Sequence, residues 1–194
     1  MTYPAQCSHV LKEWATVLEA MGRGEQLVLI RKGGLIEPGS GFELISQTFV
    51  FYPTFEHQAV NYLRPEFRGY FEQASAKRAS EGKVRFDFVG VAVSSVSSSD
   101  PDIIKRLESF HIYNDAFRTQ RLKWQPDQPL VVAVIRAYRL PNPITIPVAP
   151  AYAGCKSWVT LDQPVSIADA VPVLSDQEFD RRLRHAQSCL SSRH

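Results

Sequence analysis

The sequence predicts an α+β fold: a small curved or closed, β-barrel-like sheet with helices at its ends. Three observations point there. Runs of aromatic and β-branched residues of strand length are bounded by glycine and proline. Segments with helical spacing or capping signals interrupt those runs rather than alternating with them regularly. At 194 residues and 44% hydrophobic content, the chain suits one domain, residues 1–194, with no internal repeat and no separating linker.

In chain order, Leu11, Trp14, Val17, Leu18 and Met21 recur at helical spacing. They predict an amphipathic helix capped by Ser8 and ended by Gly22 and Gly24. Leu27 to Ile30 reads as a strand that turns basic at Arg31-Lys32. The segment GGLIEPGSG is turn chemistry, and Phe42 to Tyr52 reads as the next strand, stopped by Pro53. Thr54 is a cap for a short helix carrying Phe55, Ala59 and Leu63, and Pro65 fits the first turn of another reaching about Ala79. Together these make a helical insertion over about 55–82.

Lys83 to Val96 alternates as a strand, with a bulge expected at Gly90. SSVSSSDP reads as a loop, Asp100-Pro101 as the start of a helix through Leu107, and Asn114 as the cap of a further helix ending near Trp124. Pro129 to Leu140 is the clearest strand, PNPITIP a turn plus a short strand, and Lys156 to Leu161 another strand. Ser175-Asp176-Gln177-Glu178 is a capping box that opens a C-terminal helix over about 175–190.

Composition excludes several classes. Charged residues make up 22% and formal net charge is +2, so no global charge points to nucleic acid or a membrane. No apolar run approaches the roughly 20 residues of a membrane helix, and the start lacks the pattern of a secretory leader, so a cytoplasmic protein without membrane contact is expected. The cysteines Cys7, Cys155 and Cys189 show no CxxC spacing, and the histidines form no HxxxH pair, so no metal is expected. GxxxxGK[ST], GxGxxG and GxSxG are all missing, and no cofactor is implied. Cys155 and Ser157 are nucleophile types without an identifiable base, and catalytic residues are not identified.

Three stretches stand out. Arg31-Lys32 enters a glycine turn, where backbone can approach a ligand and Arg suits phosphate or a base edge; an ordinary hairpin with solvated charges reads equally well. In Tyr52-Pro53-Thr54-Phe55-Glu56-His57-Gln58, Glu56 or His57 can act as acid or base and Gln58 can bond a base edge; a helix-cap network is the alternative. Lys156, Ser157 and Trp158, taken with His111 and Tyr113, are the materials of a base-stacking pocket; Trp158 and Tyr113 as core plugs are the alternative. Between Lys105 and Arg139 there are seven basic and three acidic side chains, which fits either a phosphate track or a solvated helix face.

LKEWATVLEAMGRGEQLVLIRKGGLIEPGSGF, FYPTFEHQ, ESFHIYNDAF, PLVVAVIRAYRLPNPITIP and YAGCKSW, in that order, resemble a bacterial family known as domain of unknown function 1802. The resemblance runs from about Leu11 to Trp158 and more loosely to Phe179. It implies no established activity; fusion of some members to restriction-endonuclease-like domains implies a link to restriction-modification, with a restriction-type nuclease as partner. MGRGEQLVLIR is similar to the opening of ASCH and other PUA-like domains, and RAYRLPNPITIP to the closing part of EVE-type members. Those likenesses imply a PUA-like barrel and a nucleic-acid-binding module, for DNA or RNA, reading modified or flipped bases. The expected ligand contacts are Arg31, Lys32, Glu56, His57, Gln58, His111, Tyr113, Lys156, Ser157 and Trp158. The alternatives are a small hydrolase or nuclease-associated enzyme using the same pocket, and a non-catalytic partner-binding subunit. Glu81-Gly82-Lys83 has a nuclease-like Glu-x-Lys spacing but reads as a turn.

Overall fold

A computed structural model describes residues 3–32, 42–56, 58–154 and 156–191. Its elements are β1 (Gln6–Trp14), α1 (Ala15–Met21), β2 (Val28–Arg31), β3 (Thr48–Thr54), α2 (Gly69–Ala76), β4 (Lys83–Ser98), α3 (Ile103–Arg106), α4 (Asp115–Lys123), β5 (Leu130–Pro147), β6 (Trp158–Ser166), β7 (Val171–Pro172) and α5 (Asp176–Ser191). Short 3-10 turns cover Val60–Tyr62, Pro65–Phe67, Glu108–Phe110 and Pro150–Tyr152. The fold is α+β. All seven strands join one sheet in the order β2-β5-β4-β3-β1-β6, with β7 added on β5. The path is open among the described residues, with β2 and β6 at its ends, so the sheet is not closed into a barrel.

Among the described residues only β1 and β3 run parallel, pairing Lys12 with Tyr52 and Trp14 with Thr54; the other pairings are antiparallel. Successive side chains alternate between faces. Leu11, Phe49, Phe51 and Phe88 therefore join the core under α1 and the other helices, while Val10, Val50 and Val89 join a second core on the opposite face. Both faces of the central strands are thus covered by apolar groups.

That double burial explains the largest correction to the sequence reading. Residues 6–14 form a strand, not the first half of a helix, because Val10 and Leu11 bury on opposite sides between β3 and β6. Helix begins only at Ala15, and Gly24, with φ +75°, lies just past its end. Phe42 to Gln47 lie outside β3, and Pro53 does not stop that strand; it sits in the parallel register opposite Glu13. Among the described residues from Thr54 to Leu63 no α-helix forms, and the 3-10 turn Val60–Tyr62 stands where a short helix was expected. Ser94 to Ser98 continue β4, and PNPITIP continues β5, because the two strands pair with each other to their far ends. Irregularities in that pairing fall at Phe86/Phe88 and Ala92/Ser94, not at Gly90. Gly90 has another reason to be glycine: a Cβ there would lie 2.6 Å from Phe49 and 2.8 Å from Phe51.

Candidate functional site

The C-terminal ends of the parallel pair β1 and β3 open into a cleft of about 710 Å³. Its far wall is the end of α2 and the turn into β4, and the segment around Tyr152 to Gly154 borders it. Strand alternation aims Lys12 into this cleft and Glu13 to the other face. The Lys12 ammonium donates to the Gly154 carbonyl oxygen at 2.8 Å and lies 5.5 Å from the Tyr52 ring centre. Tyr52, Phe55 and Tyr152 supply aromatic surface, and Lys77, Arg78, Lys83 and Arg85 join Lys12 as cations. Glu19, Glu56, Glu81 and Asp87 also line it, so the charge is nearly balanced.

Several of these charges are already committed. Glu19 is buried and binds both Lys77 and Arg23, tying α1 to the end of α2. Burial by itself would push the Glu19 carboxyl up; its bonds to the two cations hold it below the ordinary value. Arg85 donates to Asp87 at 2.8 Å, while Arg78 keeps an exposed position 5.0 Å from the Phe55 ring centre. Arg78 and Lys83 stand exposed at the rim. Burial, then the nearby Glu56 carboxylate and Tyr152, push the Tyr52 hydroxyl up, so it is a neutral hydrogen-bond donor at ordinary pH.

Of the residues singled out from the sequence, Glu56 lines the cleft and is exposed. Gln58 instead serves the scaffold: its side-chain oxygen accepts from the Thr16 hydroxyl at 2.9 Å and the Thr16 backbone N–H at 3.3 Å. His57, Cys155 and the glycine turn over 33–41 lie outside the described residues. Lys156 is exposed, and the Ser157 carbonyl oxygen accepts from the Lys12 backbone N–H at 2.8 Å.

Arg31 and Trp158 come together through a residue that sequence reasoning placed only in a strand. The Arg31 guanidinium lies 5.5 Å from the Phe42 ring centre, and Phe42 stacks on Trp158 at 6.2 Å. Trp158 also meets Phe49 edge-on at 5.2 Å and donates from Nε1 to the Glu43 carbonyl oxygen at 2.8 Å. Lys32 is buried rather than solvated, with 6% exposure, and donates to the Leu122 carbonyl oxygen at 3.2 Å.

His111 and Tyr113 are core residues, which corrects their placement in a base-stacking pocket. The Tyr113 ring stacks on Phe117 at 3.7 Å, leaving that face no room for a base. His111 holds the Ile104 carbonyl oxygen at 2.8 Å through Nε2, and its Nδ1 accepts from the Tyr113 N–H at 3.2 Å. Those two bonds fix the neutral ring with its proton on Nε2. Burial pulls its pKa down to about 4. Sequence reasoning missed Lys12, Lys83 and Arg85 because their strand-period signal was read as helix in the first case and as plain alternation in the others.

Among the described residues, no group of three or more His, Cys, Asp or Glu is placed to hold a metal ion. No described helix is long and apolar enough to cross a membrane. The fold and cleft thus define an α+β module with a mixed-charge, aromatic-lined cleft at the end of a parallel strand pair.

The chain belongs to the family described as Domain of unknown function (DUF1802), whose match spans residues 10–185. No curated protein matches it. Among solved structures it is similar to ASCH from Zymomonas mobilis, at 11% identity and a TM-score of 0.43, covering 91% of this chain and 93% of that one. A Tyr→Phe variant of that protein matches at 10% identity and a TM-score of 0.44, covering 91% and 96%. A Ser→Ala variant matches at 13% identity and a TM-score of 0.42, covering 94% and 98%.

Proposed function

We propose that this chain is a nucleic-acid-binding module that takes an unpaired nucleotide into the cleft at the ends of β1 and β3. The observation that carries the reading is the cleft's lining, in which half-buried aromatic side chains stand beside exposed cations. Tyr52 and Phe55 are the stacking surfaces, a role for which any base offers a π-face. Lys83 and Arg78, exposed at the rim, hold flanking phosphates, which supply affinity without sequence information. The Glu56 carboxylate accepts a hydrogen bond from an exocyclic amine, which is where a modified base would be distinguished. His111 and Tyr113 drop out of this reading because the core holds them.

The near-balance of charge sets the expected character of binding. With two rim cations neutralising phosphates, log affinity should fall with log salt at a slope of roughly −1 to −2 for single strands. Fluorescence anisotropy at two salt concentrations tests this, with single- and double-stranded DNA and RNA, each with and without methylated bases. Single strands should bind better than duplexes, and Tyr52→Ala should weaken binding. Absence of salt-sensitive binding to every nucleic acid in the panel would overturn the reading.

A further inference from the structure

The outer face of α4 carries an open groove of about 610 Å³ that shares no lining residue with the cleft. Helical spacing sorts the helix into two faces. Phe117 and Leu122 pack into the core, and Arg121 lies 5.0 Å from the Phe117 ring centre. Ala116, Thr119, Gln120 and Lys123 are exposed and line the groove. Two aromatic side chains complete the lining: Trp124, at the C-terminal cap of α4, and Tyr62, from the 3-10 turn after β3. The Tyr62 ring is held in place by its stack on Trp14 at 6.3 Å and its edge contact with Phe117 at 6.2 Å.

Trp124 differs from the other two tryptophans. Trp14 and Trp158 pack against the core and against other rings. Trp124 is half-buried yet belongs to neither apolar cluster. Among the described residues its ring meets no other aromatic ring, and its Nε1–H has no hydrogen-bond partner. The backbone holds it there under strain: Trp124 is extended, and Gln125 beside it takes φ +43°, the only positive value for a non-glycine residue among those described. An indole with an unpacked ring and a spare donor, lining a groove, has the attributes of a recognition side chain. Tryptophan and tyrosine are also enriched where binding energy concentrates.

The rest of the lining indicates what is recognised. Gln120 presents an amide that both donates and accepts, the pattern that pairs with the N6 and N7 edge of adenine. Asp115 is engaged by Arg118 at 3.1 Å, whereas Lys123 has no ion-pair partner among the described residues. Two aromatic rings, an amide fork and one uncommitted cation above the small side chains of Ala116 and Thr119 suit a planar base that carries a phosphate. We propose that this groove is a second base-stacking subsite, taking an adenine-type base from the same single strand that enters the cleft. The inference rests on the reading of the cleft as a nucleic-acid site. Trp14, two residues beyond Lys12, stacks on Tyr62, so groove and cleft both adjoin the C-terminal end of β1. A strand that engages both is held by two linked contacts, and the second raises affinity through its effective concentration.

The test is fluorescence anisotropy of the full chain with single-stranded oligoadenylate and oligouridylate of about 12 nucleotides. Trp124→Ala should weaken oligoadenylate binding about tenfold, and Trp124→Phe should keep most of it. Gln120→Ala should reduce the preference for oligoadenylate over oligouridylate. Oligoadenylate should also quench tryptophan emission in the wild-type chain and much less in Trp124→Phe, a comparison that stands even if Trp124→Ala does not fold. Unchanged affinity in Trp124→Ala, or equal quenching in the wild type and Trp124→Phe, would overturn the subsite; if Tyr52→Ala still weakens binding, the cleft reading survives. Weakening by Trp124→Ala but not by Tyr52→Ala would keep the groove and overturn the cleft. Failure of every strand to bind would overturn both.

Discussion

The guanidinium of Arg31 donates to the backbone carbonyl oxygen of Lys12, joining the end of β2 to β1 although the two strands are not neighbours in the sheet. The Lys12 backbone N–H is bound to the Ser157 carbonyl oxygen, and its ammonium reaches Gly154. One strand residue therefore gathers the end of β2, the segment before β6 and the mouth of the cleft. Replacing Lys12 with Met keeps the strand and removes only the ammonium. The expected result is weaker nucleic-acid binding with little change in melting temperature, read by anisotropy and thermal denaturation in parallel.

Tyr52 is the central stacking surface in the proposed cleft. Tyr52→Ala should cost about 1–3 kcal/mol of binding to single strands. Lys83→Gln should act differently, weakening all sequences alike and reducing the magnitude of the salt slope by roughly 0.7. Anisotropy titrations at several salt concentrations distinguish the two behaviours.

His111 gives the fold an acid sensitivity. Its pKa in the folded chain is about 4, well below its ordinary 6.5, because burial and then the nearby Arg64 oppose the charged ring. Between those values the unfolded chain binds a proton that the folded chain refuses. This contribution is therefore complete above pH 6.5 and is lost as pH falls toward 4, by about 3 kcal/mol in total. Urea denaturation across that range should show the decline, and His111→Gln should flatten it.

Gly90 faces two phenylalanine rings that meet each other edge-on at 5.2 Å. Gly90→Ala should destabilise the chain by about 1–3 kcal/mol through overpacking, without altering the cleft. Chemical denaturation, combined with unchanged ligand binding per folded molecule, checks both halves of this expectation.

Asn114 caps α4 and also closes the loop before it. Its side-chain oxygen accepts from the Ala116 and Phe117 N–H groups at 3.0 and 3.2 Å, and its amide donates to the Asn61 and Leu63 carbonyl oxygens at 2.8 and 3.1 Å. Asn114→Ala should cost about 1–2 kcal/mol, while Asn114→Asp should retain the cap but lose the amide's donors. Differential melting of the two variants separates those contributions.

Much of the architecture was legible because local chemistry and tertiary position agree. The Asn114 cap was read correctly, as were the strand that begins near Pro129 and the helix opened by Ser175 to Glu178. The first element was misread because Leu11, Trp14, Val17, Leu18 and Met21 keep helical spacing across a strand-helix junction. Nothing local distinguishes the strand part; its cause is the pairing of β1 with both β3 and β6. The site was partly legible for a similar reason. Glu56 is found in the cleft, but its partners Lys12, Tyr52 and Lys83 belong to three different strands. His111 and Tyr113 offered suitable chemistry, yet burial turned both inward. Charge type can be read from a chain, whereas the direction in which a side chain leaves a sheet depends on strands that sequence alone did not assemble.

The place of β1 between β3 and β6 also governs the order in which the chain can be completed. During synthesis β1 precedes β3, whereas β6, the strand that covers its other side, follows only after β4 and β5. Until Trp158 and Val159 pair with Leu11 and Val10, a nascent chain presents β1 as an unprotected edge able to recruit a neighbour's strand. Termination between β5 and β6 would thus leave a sticky edge rather than a smaller version of the protein, so a strand made late decides whether β1 is safe.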